Sequence, residues 1–295
     1  MKDAPCKWSR PVLAARATAG AAFGANVLAA VAHIRANVRG AIKGRDPEYL
    51  HQLRVGIRRL RSTLRAFRGL VRRRGALRLE RGLRSVQQAL GAARDWDEFV
   101  AAQFAPVLRR AARRPHALAR RSARAILSGT RFRSATRDAL AWSRSEPWRA
   151  AGNAGEALDA FGARALQQLH DALCRRAAGI DWADAERRHR VRIRLKRLRY
   201  GCDCFAAAYA ADETRRLLHR LRVLQHLLGK LNDIQVQRRL LHELARDADV
   251  AAPAQRASAG LETRERELIR RAERVWTKFE AVPPYWRRRA ARARG

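Results

Sequence analysis

Two segments of this chain match one another: His51-Gln-Leu-Arg54-Val-Gly-Ile-Arg58-Arg59-Leu60-Arg61 and His189-Arg-Val-Arg192-Ile-Arg-Leu-Lys196-Arg197-Leu198-Arg199. They lie 138 residues apart, and the same offset continues without a gap through the pair Phe67 and Phe205 to the pair Asp95 and Asp233. A register kept over about fifty residues indicates an internal duplication. We therefore expect two similar halves, residues 20–150 and 155–280, with a hinge at 152–155.

The apolar periodicity predicts an all-α fold, because apolar residues recur every three or four positions and no segment alternates like a strand. The predicted helices span residues 20–43, 47–73, 76–93, 96–112, 116–128 and 133–143, then 155–178, 183–210, 212–230, 233–247 and 254–280. Asp46 before Pro47 is a typical helix start. Asp95 and Asp233 are interpreted as caps of the helices that follow them. Residues 1–19 and 281–295 are expected to be basic tails, loosely ordered over about the first 18 residues and over Arg287–Gly295.

The charge of the chain points to a polyanionic partner. Its 295 residues include 64 Lys and Arg against 27 Asp and Glu, which gives a formal net charge of +37. Such a surface repels itself unless nucleic acid, anionic lipid or another polyphosphate neutralises it. We expect no membrane span, because no uncharged apolar stretch reaches the roughly 20 residues of a membrane helix, and no secretory signal, because an acid and a proline lie among the first residues.

The four cysteines, Cys6, Cys174, Cys202 and Cys204, are too few and too irregular for a disulfide framework. A reducing cytoplasm fits this usage. Cys202 and Cys204 align with Leu64 and Ala66 in the duplication, so we interpret them as core residues. No metal site and no cofactor is predicted.

The first repeated segment carries a basic stripe beside an apolar one. Leu53, Ile57 and Leu60 belong to a stripe at helical spacing that faces the core. Rotated by one residue, about 100° on a helix, runs a basic stripe. It consists of His51, Arg54, Arg58, Arg61, Arg65 and Arg68.

The second segment repeats this design with His189, Arg192, Lys196 and Arg199. Like charges at this spacing destabilise a helix by about 0.2–0.5 kcal/mol per pair, and no acid interrupts either stripe. Val55, Ile193 and Tyr200 add apolar groups on the other flank. We infer a basic wall that lines a cleft or channel for a polyanion, in preference to a solvated surface.

A second basic face follows each stripe. Its members are Arg84, Gln87, Gly91 and Arg94 in the first half and Arg222, Gln225, Gly229 and Asn232 in the second. The two glycines would allow either close helix packing or a phosphate near the backbone. Arg59 and Arg197 lie on the far side of the stripe helix and are candidates for structural contacts. The secondary candidates for the site are Arg59, Arg68, Arg94, Arg197 and Lys230.

The aligned histidines, His51 and His189, are interpreted as site members, because each heads a basic stripe. A protonated imidazole would donate to a phosphate oxygen. Surrounding arginines should favour the neutral form in the free protein, and a bound anion should favour the charged form.

At these residues the sequence resembles the CHAD family, the conserved-histidine α-helical domain. The resemblance rests on the two histidine–arginine blocks and on Leu90-Gly91-x-x-Arg94-Asp95 with Leu228-Gly229-x-x-Asn232-Asp233. It covers about residues 20–280. It implies two helical bundles, related by a pseudo-twofold axis around a basic surface or pore, that bind inorganic polyphosphate. Some members of the family associate with polyphosphate or polyhydroxyalkanoate granules in bacteria.

The chain departs from the family pattern at Ser62, where Tyr200 predicts a tyrosine, and at Asn232, where Arg94 predicts an arginine. Many members also carry a triphosphate-tunnel domain with a Glu-x-Glu-x-Lys motif. Here Glu265-Arg-Glu267 is followed by Ile269 instead of lysine.

Three functions remain as hypotheses. The first is a non-catalytic, cytoplasmic, polyphosphate-binding protein, linked to polyphosphate or storage granules. The second is a nonspecific nucleic-acid-binding protein, although the stripes lack stacking aromatics. The third is an enzyme acting on phosphate esters. Against it, the sequence shows no carboxylate cluster for magnesium and no glycine-rich phosphate loop. We favour the first and expect no catalysis.

Overall fold

The all-α prediction is confirmed by a computed structural model that describes residues 4–14, 16–71, 73–146 and 148–287. These residues contain no β-strand, only an isolated β-bridge between Thr18 and Ala157. The helices of the first half are α1 (Ala19–Lys43), α2 (Pro47–Ala66), α3 (Arg73–Ala89), α4 (Gly91–Ala101), α5 (Pro106–Ala111), α6 (Arg113–Ser128) and α7 (Thr130–Arg144). Those of the second half are α8 (Leu158–Ala177), α9 (Ala185–Cys204), α10 (Ala211–Leu244) and α11 (Ala248–Glu280).

Three consecutive elements of the first half recur in the second at the offset found in the sequence. Both bounds of α2 and α9 differ by 138 residues, as do those of the 3₁₀ turns Arg68–Leu70 and Ala206–Ala208. The starts of α3 and α10 keep the same offset. These bounds support the interpretation of a duplicated chain.

The predicted caps at Asp95 and Asp233 are wrong. Asp95 lies in the second turn of α4, which begins at Gly91, and Asp233 lies inside the unbroken helix α10. The buried stripe of α10 continues through Leu228, Leu231 and Ile234, and burial of this stripe stabilises one continuous helix across Asp233. The cap at Asp46 is present, because its side chain accepts a hydrogen bond from the N–H of Glu48 at 2.7 Å.

Aromatic residues join the two halves in the core. The rings of Phe67 and Phe205, which are equivalent in the duplication, lie 4.6 Å apart. Phe23 and Phe161 pack on Phe67 with ring centroids at 5.2 and 5.6 Å. Since all four side chains are buried, the ends of α2 and α9 share one hydrophobic core.

The cysteines lie free, and two of them are core residues. Cys202 and Cys204 are buried on α9. Burial raises the pKa of the Cys202 thiol to about 12 and that of the Cys204 thiol to about 11. Both side chains therefore stay protonated and act as small apolar groups.

The predicted loose N-terminal tail is corrected by the structure. Asn37 of α1 binds both backbone groups of Cys6, with distances of 3.1 and 3.0 Å, and Trp8 packs edge-on against His33. Of the predicted C-terminal tail, Tyr285 and Trp286 are buried, and residues 288–295 lie outside the described residues. Large aromatic side chains near both ends therefore pack against the core and hold the terminal segments there.

Among the described residues, α1 is the one helix that is long and apolar enough to cross a membrane. However, 61% of that stretch is buried inside the protein. Its small residues allow α2 to approach closely, since a Cβ placed on Gly40 would clash with the Tyr49 ring. The helix thus has the packing of a core helix.

Candidate polyanion-binding site

Helices α2 and α9 bring the basic residues of the two halves together. Arg58 of α2 donates a hydrogen bond to the phenol oxygen of Tyr200 on α9 at 3.2 Å. The pKa of Tyr200 is lowered overall: burial acts to raise it, and the charge and hydrogen bond of Arg58, together with the charges of Arg199 and Arg59, outweigh burial. The two stripes therefore meet in space.

Four cations form the centre of the site, and we call them the cationic quartet: Arg54, Arg58, Arg192 and Lys196. All four are partly buried. Burial and then Arg58 lower the pKa of Arg54 to about 10. Burial, followed by Arg192 and Arg58, lowers the pKa of Lys196 to about 6. The quartet thus concentrates positive charge that its surroundings solvate poorly.

Carboxylates from other helices surround the quartet, and sequence reasoning missed this role. Burial raises the pKa values of Asp95 on α4 and Asp233 on α10. The charge of Glu98 acts on Arg54 and also on Arg192, across the two halves. No periodicity within α2 or α9 could have revealed these acids, because tertiary packing supplies them.

A second cluster of cations lies toward the C-terminal ends of the stripes. Arg65 pairs with Glu80 of α3, and Arg61 donates to the Gln87 side chain at 2.6 Å. Burial and then Arg65 lower the pKa of Arg197 to about 10. Arg65 and Arg197 open into a pocket of about 1080 Å³, where Arg194 contributes a further cation.

Two residues of the predicted site are committed to structural contacts. Asp203 binds Arg59 at 2.5 Å and lies 3.6 Å from Arg199. The N-terminal Arg10 joins the same carboxylate at 3.3 Å, and Arg59 lies 5.1 Å from the Trp8 ring. This network gives Arg59 and Arg199 a shared carboxylate partner and packed surroundings, whereas no member of the quartet has such a partner among the described residues.

The two histidines occupy different environments. His51 is partly buried, and burial followed by the nearby Arg94 lowers its pKa. His189 is exposed, and its Nδ1 donates a hydrogen bond to the Asn232 amide oxygen at 3.2 Å. His189, Arg192 and Asn232 line a pocket of about 220 Å³. The substitution of Asn232 for an arginine therefore changes the surroundings of one histidine.

The remaining predicted residues are distributed around this centre. Arg68 donates to the Gln168 side chain at 2.7 Å, and Arg94 pairs with Glu98 at 2.7 Å. Arg84 and Arg222 are exposed, and Lys230 is partly buried.

The packing interpretation of the repeated glycines is wrong. A Cβ placed on Gly91 or Gly229 would have no heavy atom within 4 Å. Open space beside the helix therefore leaves the alternative, a ligand near the backbone. Among the described residues, no group of three His, Cys, Asp or Glu side chains is placed to hold a metal ion.

Comparisons with known proteins agree with this architecture. Residues 25–242 match the sequence model of the CHAD domain. The fold is similar to the crystal structure of the CHAD domain from the plant Ricinus communis, with a TM-score of 0.82 and 31% identity over 95% of this chain and 98% of that chain.

The fold is also similar to PptA from Streptomyces chartreusis, with a TM-score of 0.67 and 15% identity over 93% of this chain and 100% of that chain. At this identity the likeness concerns the fold alone. A comparison with curated proteins gives no match. The family match and the Ricinus communis domain together settle the family, and the chain belongs to the CHAD family.

Proposed function

We propose that this protein binds inorganic polyphosphate, without catalysis, along the basic residues of α2 and α9. The observation that carries the proposal is the cationic quartet. None of its four side chains forms a salt bridge with a carboxylate in the described part of the chain, although all four are partly buried. Unpaired cations held in this way are a prepared site for an anion.

The energetics of the quartet favour an external anion. Partial burial removes water from Lys196, and neighbouring cations destabilise its charged form further. A phosphate chain would supply the direct ion pairs that the surrounding carboxylates do not form with the quartet. The free energy stored as repulsion in the free protein would then be released on binding.

A linear polymer suits the shape of this surface better than a single phosphate group. The stripes run from His51 and His189, through the quartet, to Arg65 and Arg197 at the larger pocket. Arginine binds phosphate oxygens with two parallel hydrogen bonds, which are charge-assisted. Successive phosphates would occupy successive positions along the stripes.

A four-residue variant tests this proposal. Arg54, Arg58, Arg192 and Lys196 are changed together to Ala, and polyphosphate affinity is measured by fluorescence anisotropy. The matched control changes Arg264, Arg266, Arg270 and Arg271 of α11, which are exposed, and removes the same formal charge.

We expect the quartet variant to lose at least about tenfold in affinity, because it removes several charge-assisted contacts. Thermal unfolding of both variants shows whether they remain folded. A folded quartet variant with affinity within about twofold of wild type, or one that matches its control, would contradict the proposal.

Competition separates polyphosphate from the nucleic-acid alternative. Bound polyphosphate is challenged with duplex or single-stranded DNA at about 150 mM salt. If DNA displaces polyphosphate easily from the quartet, nucleic acid becomes its better ligand. Incubation with polyphosphate and magnesium tests the absence of catalysis through phosphate release or chain shortening.

The cellular setting is part of the same proposal. We place the protein in the cytoplasm, with polyphosphate or polyhydroxyalkanoate granules as its site of association. A fluorescent fusion imaged in polyphosphate-replete and polyphosphate-depleted cells tests this. Foci that persist unchanged in depleted cells would show that association with granules does not depend on polyphosphate binding.

A further inference from the structure

Helix α6 carries a second basic face, outside the duplicated stripes. The arginines of this face are Arg113, Arg114, Arg120, Arg121 and Arg124. At 100° per residue they fall within an arc of about 120° on one side of the helix. Four of the five are exposed, and Arg120 is partly buried. We call this set the α6 arginine face.

The charge of this region contrasts with that of a comparable surface in the same protein. Helices α5 to α7 carry eleven arginines and one acid, Asp138. Helix α11, which follows α10 in the second half, carries seven basic and six acidic residues. A surface that only needs to be soluble can carry mixed charges, as α11 does, so solubility does not explain the excess of arginine on α5 to α7. None of the arginines of α5 to α7 forms a salt bridge with a carboxylate among the residues that the structure describes.

The end of α1 extends the α6 arginine face. The carbonyl oxygen of Gly44, the C-cap of α1, accepts hydrogen bonds from Arg120 at 2.5 Å and from Arg124 at 3.4 Å. Lys43 and Arg45 flank this glycine, and both are exposed.

The nearest acids in the chain are already engaged. Asp46 caps α2 through the Glu48 N–H, and Glu48 accepts from the Gln52 side chain at 2.7 Å. The cations around Gly44 therefore remain available to an external anion.

Helix α4 separates this face from the cationic quartet. Asp97 of α4 accepts a hydrogen bond from His116 of α6 at 2.7 Å. Asp95, two residues earlier and about 200° around the helix, acts instead on Arg54 of the quartet. The two basic surfaces thus lie against different faces of α4, and a variant of one need not disturb the other.

We propose that the α6 arginine face binds the phosphate backbone of duplex nucleic acid, without sequence preference. The face is the outer side of a helix about 24 Å long, and it does not enclose a ligand. A duplex is wide and rigid and carries one negative charge per roughly 1.7 Å of its axis. It can therefore engage several separated arginines of an open surface at once. A thin, flexible chain is held better by the partly buried quartet.

The apolar content of the face argues against a membrane as its partner. A helix that lies in a membrane interface needs a continuous apolar side. On α6 the one large exposed apolar side chain is Leu118, which is 54% exposed. The exposed residue between the arginines is Ala117, whose small side chain permits close approach of a phosphate backbone.

Two triple variants of the full chain test this proposal. The first changes Arg113, Arg114 and Arg121 to Gln, and it spares Arg120 and Arg124, which bind Gly44. The control changes Arg264, Arg266 and Arg270 of α11 to Gln and removes the same net charge. Each is measured with two fluorescent duplexes of unrelated sequence, with polyphosphate, and with vesicles that contain anionic phospholipid.

We expect the α6 variant to lose about tenfold or more in affinity for both duplexes, and its salt slope to fall by roughly two to three. The α11 control should change by less than about twofold. The polyphosphate affinity of the α6 variant should stay near that of wild type.

Equal losses in the two variants would overturn the proposal, because net charge alone would then explain binding. It would also be overturned if the wild type bound neither duplex at low salt, or if the α6 variant lost vesicle or polyphosphate binding and kept duplex binding. The proposed function is tested separately, because it predicts that the quartet variant loses polyphosphate binding and that the α6 variant keeps it.

Discussion

Arg58 and Tyr200 are joined by a hydrogen bond of 3.2 Å that links α2 in the first half to α9 in the second. Tyr200 has Ser62 as its equivalent in the duplication, so no second tyrosine is present to make the reciprocal contact. Arg58 also acts on Arg192 and Lys196, whose pKa values are lowered by burial first and by the charge of Arg58 in addition. The basic surface proposed to bind polyphosphate is thus a product of both halves.

Lys196 should make polyphosphate binding dependent on pH. Its pKa in the free protein is about 6, with burial as the main cause. Above this pH the amine is neutral, and a bound phosphate chain would raise the pKa and draw in a proton. Affinity should therefore fall as the pH rises from about 6 to about 8, with a slope of at most one proton. Calorimetry in buffers of different ionisation enthalpy measures this uptake.

The variant Lys196→Arg is the control for this effect, since a guanidinium stays charged throughout the range. Its affinity should vary less with pH than that of wild type, and the variation that remains should come from protonation of histidine on binding, His51 having a pKa that burial and then Arg94 lower in the free protein. For folding, the unfolded lysine binds a proton up to its ordinary pKa of 10.5. The contribution of Lys196 to stability therefore increases with pH between about 6 and 10.5. The same pH dependence of binding in wild type and Lys196→Arg would refute the assignment.

Glu98 should weaken polyphosphate binding in the wild type. Its carboxylate pairs with Arg94 and acts on both Arg54 and Arg192. Glu98→Gln removes a negative charge that competes with phosphate, and we expect a severalfold gain in affinity with a steeper salt dependence. The control is Glu267→Gln on α11, an exposed position. A loss of affinity in Glu98→Gln would show that the carboxylate orders the site.

Asp203 should be a major contributor to stability. It is 9% exposed and pairs with Arg59, Arg199 and Arg10 together. Asp203→Asn leaves these cations without their common partner, and we expect a loss of about 3–5 kcal/mol in the free energy of unfolding. Urea denaturation measures it, with Asp212→Asn at the exposed start of α10 as the control. A loss below about 1 kcal/mol would contradict this role.

Gly229 should separate folding from binding. Because a Cβ there meets nothing, Gly229→Ala in the middle of α10 should stabilise the protein by about 0.5–1 kcal/mol. If the open space admits phosphate, polyphosphate affinity should fall in the same variant. Gly40→Ala provides the contrast, since its Cβ would clash with Tyr49 and should destabilise the fold. Unchanged polyphosphate affinity in Gly229→Ala would place the ligand away from this glycine.

The helices and the basic stripes could be predicted from the sequence because both depend on local spacing. The side chains of α2 repeat at three and four residues, and one turn of register fixes which of them face the core. The offset of 138 residues then carried the same assignment to α9. These features need no knowledge of how the helices pack.

The surroundings of the stripes could not be predicted, because other helices supply them. Glu98 has Val236 as its equivalent in the duplication, so the repeat gives no sign of its role. Asp95 fits the pattern of a capping box, yet α4 begins four residues earlier, at Gly91. Trp8 and Arg10 lie in a segment without periodicity, and only tertiary contacts show that it packs on α1 and α9.

The most direct measurement is a thermodynamic cycle on the two halves of the quartet. Binding of a short polyphosphate of defined length is titrated for wild type, for Arg54→Ala with Arg58→Ala, for Arg192→Ala with Lys196→Ala, and for all four changes together. If α2 and α9 hold a single chain, the wild type binds one polymer per protein, each pair of changes weakens that one event, and the losses are not additive. Two polymers bound per protein, with each pair of changes abolishing one of them and leaving the other intact, would contradict a shared site.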